Sequence, residues 1–238
     1  MHCLLTNVER RDNAIRAFAG VTGFKMKSEW DGRTPPILVG NDNGMNDVQR
    51  VCRAKKIPYI YLDHAYFNRK PDFTRFRVCV SNYHCTDWRD SDRQCVEKIR
   101  PWGAKGVNVV IIHPALKTAS VYPVKEWLEE TMVKLRNCTD RKIVLKIKGE
   151  GDLCQTLANA WAAVCYGSVG DVDAVRLGVP VFCGPYSAAL PMGRTDLTEI
   201  ENPVFPDRAQ WLRSLAGAEW GLNEVGLAWE RIRPLVAP

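Results

Sequence analysis

Short apolar runs alternate with amphipathic stretches along most of this chain, the pattern of strands and helices taken in turn. It is sharpest from Trp161 to Pro185, WAAVCYGSVGDVDAVRLGVPVFCGP. The apolar run Ala162–Tyr166 predicts a strand, Gly167-Ser168 a tight turn, and Gly170–Leu177 a short helix. Val179–Cys183 predicts the next strand. Gly178 stands where a helix ends in the left-handed conformation that glycine enters without a side-chain clash.

The first half carries the same rhythm. A strand near His2–Leu5 precedes an amphipathic stretch with Ala14, Ile15, Phe18 and Val21 at helical spacing. Pro36–Gly40 predicts a buried strand, Asn41–Gly44 a loop, and Asn46–Lys56 a helix. The strand Ile57–Leu62 then delivers Asp63 and His64 to its carboxyl end. Phe76–Val80 reads as a strand, Asp87–Arg100 as a helix, and Pro101–Gly106 as a linker. In the second half, strands are expected at Val107–Ile112 and Lys142–Ile147. Helices are expected at Tyr122–Arg136, Leu153–Asn159, Pro206–Ala216 and Glu219–Arg233.

Alternating strands and helices imply parallel sheets, so the fold class is α/β. The expected architecture is two facing Rossmann-like domains with a central cleft, followed by closing C-terminal helices. The first domain would span 1–103, the second 104–205, and the closing helices 206–238. Ligands of open α/β sheets gather beyond the carboxyl ends of the strands.

Charge changes the picture. Of 238 residues, 33 are Lys or Arg and 27 Asp or Glu, a net of +6. Residues 1–105 hold 19 basic against 12 acidic residues, so the whole excess lies in the first half. The densest stretch, Arg50–Arg77, includes Arg69, Arg75 and Arg77 and suits a polyanionic partner as well as a solvated surface. The nine cysteines are scattered, without C-x-x-C spacing, which reads as reduced structural thiols. No apolar run is long enough for a membrane helix and no signal peptide opens the chain, so a cytosolic protein without membrane contact is expected.

Candidate chemistry falls at strand ends. Ser168 and Gly170 lie where amides at a helix start favour an anion such as a diphosphate. Asp173, one turn on, suits ribose hydroxyls. Lys146 and Lys148, two apart on one strand, would share a face and neutralise a diphosphate. His113 ends another strand, and Ser187 follows the strand after the helix; both join the donor set. Asp63 is a candidate general base with His64 as the alternate. The usual phosphate-loop, dinucleotide and serine-hydrolase motifs are absent. Asp171 and Asp173 diverge on their helix, so no metal site is expected.

The motifs Tyr166-Gly167-Ser168, Asp173-Ala174-Val175 and Gly178-Val179-Pro180-Val181 together resemble the nucleotide-sugar half of GT-B-type glycosyltransferases. Tyr59–Phe67 with Phe76–Val78, and Pro191–Gly193 through Pro203, Trp211 and Trp220, resemble a narrower group of phage-encoded DNA glycosyltransferases. That resemblance implies sugar transfer, with UDP-glucose as the donor, to 5-hydroxymethylcytosine in DNA in the host cytoplasm. It implies no further cofactor. Asn41, Tyr66, Arg69, Arg75 and Arg77 would then meet the DNA, with Tyr66, Phe67 and Tyr83 stacking on a flipped base. The alternatives are a small-molecule or cell-surface glycan acceptor, and a non-catalytic DNA-binding module on a degenerate transferase fold. The sequence leaves oligomeric state, sugar and stereochemical outcome open.

Overall fold

The computed structural model describes every residue except 7, 41–43, 104–105, 116–117, 119–120 and 237–238. The chain forms two compact units, one of Met1–Val96 with Arg213–Pro238, the other of Glu97–Leu212.

The first unit opens with β1 (His2–Leu4), α1 (Glu9–Thr22), β2 (Lys25–Lys27) and β3 (Pro36–Val39). It continues with α2 (Met45–Lys55), β4 (Ile60–His64) and β5 (Arg75–Val80). Buried Asp12 fixes the turn from β1 into α1 by accepting from the Thr6 amide at 2.7 Å and the Thr6 hydroxyl at 2.8 Å. The helical spacing of Ala14, Ile15 and Phe18 puts all three into the core beside Ile37, Val39, Ile60 and Leu62. Burying each larger side chain stabilises the fold by about 1.5–3 kcal/mol. β3 reads Pro-Ile-Leu-Val and is buried throughout, as suits a parallel strand covered on both faces.

The second unit holds β6 (Asn108–Ile112), α3 (Val124–Cys138), β7 (Ile143–Lys146) and α4 (Leu153–Leu157). Then come β8 (Ala160–Cys165), α5 (Val169–Arg176), β9 (Val181–Cys183) and β10 (Gly193–Arg194). Its sheet runs β10-β9-β8-β6-β7 and every pairing is parallel. Val109, Ile111, Ala162, Val164 and Phe182 form its core with Leu135 of α3 and Ile200. Gly178 has φ of +81° and its amide donates to Val175 at 3.1 Å, closing α5 as its position predicts.

Helix α6 (Ala209–Ala216) leads back into the first unit, which β11 (Glu219–Gly221) and α7 (Val225–Val236) complete. The first sheet is therefore ordered β11-β5-β4-β3-β1-β2, with β5 antiparallel to both β4 and β11 and the rest parallel. Buried Glu219 accepts from the Phe67 amide at 2.6 Å and fixes the loop that leaves β4. The last helix thus begins at Val225 rather than Glu219.

Two further expectations change. Asp87–Arg100 contains no helix. Its polar side chains tie an irregular path to the first unit through Asp90–Arg213 and Arg93–Glu224, each at 2.7 Å. The Pro/Gly-rich stretch after Arg100 is packed rather than linker-like. There the Trp102 indole donates to the Pro206 carbonyl at 2.8 Å and the Gly103 amide to Gly178 at 2.9 Å. The nine cysteines are reduced thiols, as expected, and most are buried. Among the described residues, no helix is long and apolar enough to cross a membrane.

Candidate functional site

In the second unit, strand order reverses between β6 and β8, the position where open α/β sheets leave a crevice. The carboxyl ends of these strands are level, with Ile112 opposite Cys165. α5 starts there. A Cβ built on Gly170 would lie 2.9 Å from Ile112 Cγ2, so glycine lets the helix start close against the end of β6. Ser168 caps α5, its hydroxyl accepting from the Gly170 amide at 3.1 Å. His113 follows Ile112, with Nδ1 at 2.6 Å from the Pro114 carbonyl. Ser168, Gly170 and His113 thus share one strand-end rim.

Asp171 completes the capping box by accepting from the Ser168 amide at 3.3 Å. It is fully buried and also accepts from the Val172 amide at 2.6 Å. Burial pushes its carboxyl up to about 6, against the hydrogen bonds from Ser187, Ser168 and Val172. Asp171 is one half of the pair that diverges along this helix. Its local signal was the Ser-x-x-Asp spacing of a capping box. A ring cluster borders the same strand ends, with Tyr122 and Tyr186 at 4.7 Å and Tyr166 at 5.9 Å from each.

Two donor-set expectations are corrected. The Lys146 ammonium is buried and turns back onto the carbonyls of Ile147 and Gly151, both at 3.0 Å, and of Glu150. β7 ends at Lys146, so Lys148 lies in the following turn and the lysines do not share a strand face. Ser187 is fully buried, and its hydroxyl donates to Asp171 and accepts from the Ala189 amide at 2.9 Å. It supports the helix start from beneath instead of meeting a ligand. Asp173 is buried too and lies 3.7 Å from Arg176, which also pairs with Glu97 at 3.0 Å.

In the first unit, Asp63 and His64 are the last two residues of β4. They face Arg77 and Phe76 across the antiparallel pairing with β5. Asp63 Oδ2 accepts from Arg77 Nη2 and from the Tyr61 hydroxyl, both at 2.9 Å, and Oδ1 from the His64 amide at 2.8 Å. Burial raises the Asp63 carboxyl, but Arg77 and these donors more than offset it and hold it below the ordinary carboxylate value. The half-buried His64 imidazole is pushed down by burial and by Arg77, Arg11 and Arg10, against the pull of Asp63. It is therefore neutral at pH 7.

The Gly40 amide donates to the Leu62 carbonyl at 2.9 Å, which brings the end of β3 onto the same rim as His64. Arg11 comes within 3.1 Å of a Cβ built on Gly40. Arg10 donates to the Pro71 carbonyl at 3.2 Å, tying the start of α1 to the loop that carries exposed Arg69 and Lys70. Arg10 and Arg11 had no sequence signal beyond their charge. The basic stretch itself divides. Arg53, Lys55 and Lys56 close α2, at the opposite end of the sheet from the rim.

The acceptor set is corrected at two positions. Arg77 is buried, donating to Asp63, to the His64 carbonyl at 2.6 Å and to the Tyr83 carbonyl at 3.1 Å, so it meets no phosphate. Tyr66 is buried beneath Arg77, its hydroxyl accepting from the Cys85 amide at 2.7 Å. Phe67 and Tyr83 are core residues as well, so none of the three stacks on a base. Arg75 pairs with Glu224 at 3.8 Å and Arg69 donates to the Tyr66 carbonyl at 3.1 Å. Asn41 lies outside the described residues.

No protein-family model matches the chain, and no curated protein does. Among solved structures it is similar to the beta Kdo 2,4 transferase KpsC of Thermosulfurimonas dismutans. The TM-score is 0.50 at 10% identity, over 98% of this chain and 97% of that one. The likeness supports a glycosyltransferase fold, and two α/β units with mostly parallel sheets are consistent with the GT-B-like kind. It does not extend to the DNA-modifying group.

Proposed function

We propose that this protein transfers a sugar from a nucleotide-activated donor to a hydroxyl on a polyanionic acceptor. The acceptor we favour is 5-hydroxymethylcytosine in DNA, with UDP-glucose as the donor. The observation that carries the reading is the rim of the first unit, where β4 ends at His64 beside the end of β3 and α1 brings Arg10 and Arg11 to the same place. A base in a positive field suits an acceptor that brings negative charge. On the second unit, Ser168 at the start of α5 and His113 beyond β6 suit the donor phosphates, since a helix start favours an anion.

The test incubates the protein with a duplex containing 5-hydroxymethylcytosine, an unmodified duplex and a panel of nucleotide sugars, read by intact mass. A hexose-sized gain on the modified duplex alone supports the full reading. Duplex affinity should also fall steeply with salt, since phosphate contacts release counterions. A second reading, sugar transfer to a saccharide, is favoured by the fold shared with the Kdo transferase. Saccharide acceptors and an activated Kdo donor therefore belong in the same panel. A mass gain on a saccharide, with salt-insensitive DNA binding, would replace the DNA acceptor. Donor binding without transfer to any acceptor would leave a binding module.

A further inference from the structure

Resting on the transferase reading, we propose that His64 takes the proton from the acceptor hydroxyl, and that Asp63 and Arg77 are a positioning pair that clamps its peptide. The His64 amide donates to Asp63 Oδ1 at 2.8 Å, while the His64 carbonyl accepts from Arg77 Nη1 at 2.6 Å. The clamp is closed by the Arg77–Asp63 ion pair at 2.9 Å. Both backbone polar groups of His64 are thus held by one ion pair, whose arginine is buried and whose carboxylate is partly exposed.

Asp63 is ill suited to be the base itself. Each of its oxygens already accepts a hydrogen bond, and Oδ2 accepts two. A carboxylate stabilised in this way binds a further proton weakly. His64 is half-buried at the rim, its ring T-shaped against Phe73 at 5.1 Å between centroids. The charged groups acting on it are Asp63 from its own strand, Arg77 from β5, and Arg10 and Arg11 from α1. Burial, together with the three arginines, outweighs the carboxylate and favours the unprotonated ring, the form a base needs.

In the step, the imidazole takes the hydroxyl proton as that oxygen bonds the anomeric carbon. The bond from that carbon to the donor phosphate oxygen breaks, and its electron pair leaves with the nucleotide. The imidazolium then returns its proton to solvent.

The experiment compares wild type, His64→Gln and Asp63→Asn by transfer rate against pH, with duplex and donor binding measured separately. A positioned general base contributes about 100-fold or more, so H64Q should lose about that much in kcat while both ligands still bind. Wild type should lose activity as pH falls through the His64 pKa, an acid limb that H64Q lacks. D63N should lose about 10-fold in kcat at similar KM, the scale of a misplaced reacting group. Its acid limb should move to lower pH, because removing the carboxylate disfavours the imidazolium. A limb that stays in place would show that the Asp63 carboxylate does not act on the His64 ring.

Imidazole NMR gives a readout that needs no turnover, with His64 expected to titrate below 6.5, the value that burial and the arginines depress. Activity surviving in H64Q but abolished in D63N would overturn the inference and return the base to Asp63. So would a His64 that titrates above its ordinary value. A wild type that binds both ligands yet transfers nothing would instead remove the transferase reading, and this inference with it.

Discussion

The Ser187 hydroxyl donates to the Asp171 carboxylate at 2.5 Å, and neither side chain reaches solvent. This bond ties the loop after β9 to the start of α5. Burial raises the Asp171 carboxyl from 3.8 to about 6. A carboxyl raised on folding contributes stability that is fully present below its unfolded value and lost as pH rises through its folded one. Between pH 4 and 7 that loss is on the order of 3 kcal/mol. Asp171→Asn should therefore gain stability relative to wild type over this range, measured by urea unfolding of both proteins at each pH. A difference that stays flat with pH would show that Asp171 does not titrate there.

Lys146 should matter to stability rather than to donor binding. Lys146→Met removes the donors that hold the turn from Ile147 to Gly151 and leaves its carbonyls without them. The expected cost is about 1–3 kcal/mol. Donor affinity, followed by calorimetry, should stay within about twofold, equivalent to a few tenths of a kcal/mol. Lost affinity at unchanged stability would restore the diphosphate role expected of this lysine.

Arg77→Met strands the Asp63 carboxylate beside a neutral side chain. Removing one partner of a fully buried pair costs about 3–5 kcal/mol, and the loss here should fall below that because Asp63 is partly exposed. Asp63 is held below its ordinary value, so it contributes stability that is present above the unfolded pKa and lost as pH falls. The variant should lose that acid-side slope along with its overall stability. Urea midpoints from pH 3 to 7 test both. A full acid-side slope in the variant would mean that Arg77 is not its source.

At Gly178 a side chain meets two obstacles. Its φ is +81°, and a Cβ there would lie 2.0 Å from the Pro101 carbonyl oxygen. The left-handed backbone alone costs a non-glycine residue roughly 1–2 kcal/mol. Gly178→Ala should exceed that figure, because the obstruction is backbone rather than a movable side chain. A thermal midpoint within a degree or so of wild type would mean that the 100–101 backbone moves aside.

Local pattern carried most of the fold. Apolar runs bounded by glycine located β3, β6, β8 and β9 to within a few residues, and Ser168 announced the start of α5. Pairing with distant segments defeated the same reasoning elsewhere. β4 ends at His64 rather than Leu62 because β5 pairs Arg77 with Asp63. β2 reads Lys-Met-Lys and is exposed, a strand only because it pairs with β1. β11 reads Glu-Trp-Gly, which nothing local marks as a strand. The sites divide in the same way. Ser168 and the end of β6 follow from sequence neighbours. The clamp on His64, the Ser187–Asp171 bond and the inward turn of Lys146 depend on which atoms the fold brings together.

The strand that finishes the first sheet comes from the far end of the chain, and synthesis has to follow that order. A ribosome releases residues 1–96 well before Glu219, so in the nascent chain β5 waits with its outer edge unpaired. Phe76 and Val78 likewise wait for Ala228 and Ile232 of α7, the core partners that arrive late. Unpaired edges with exposed apolar residues invite aggregation, and late long-range pairing is slow. The second unit, contiguous in sequence, is free of that delay.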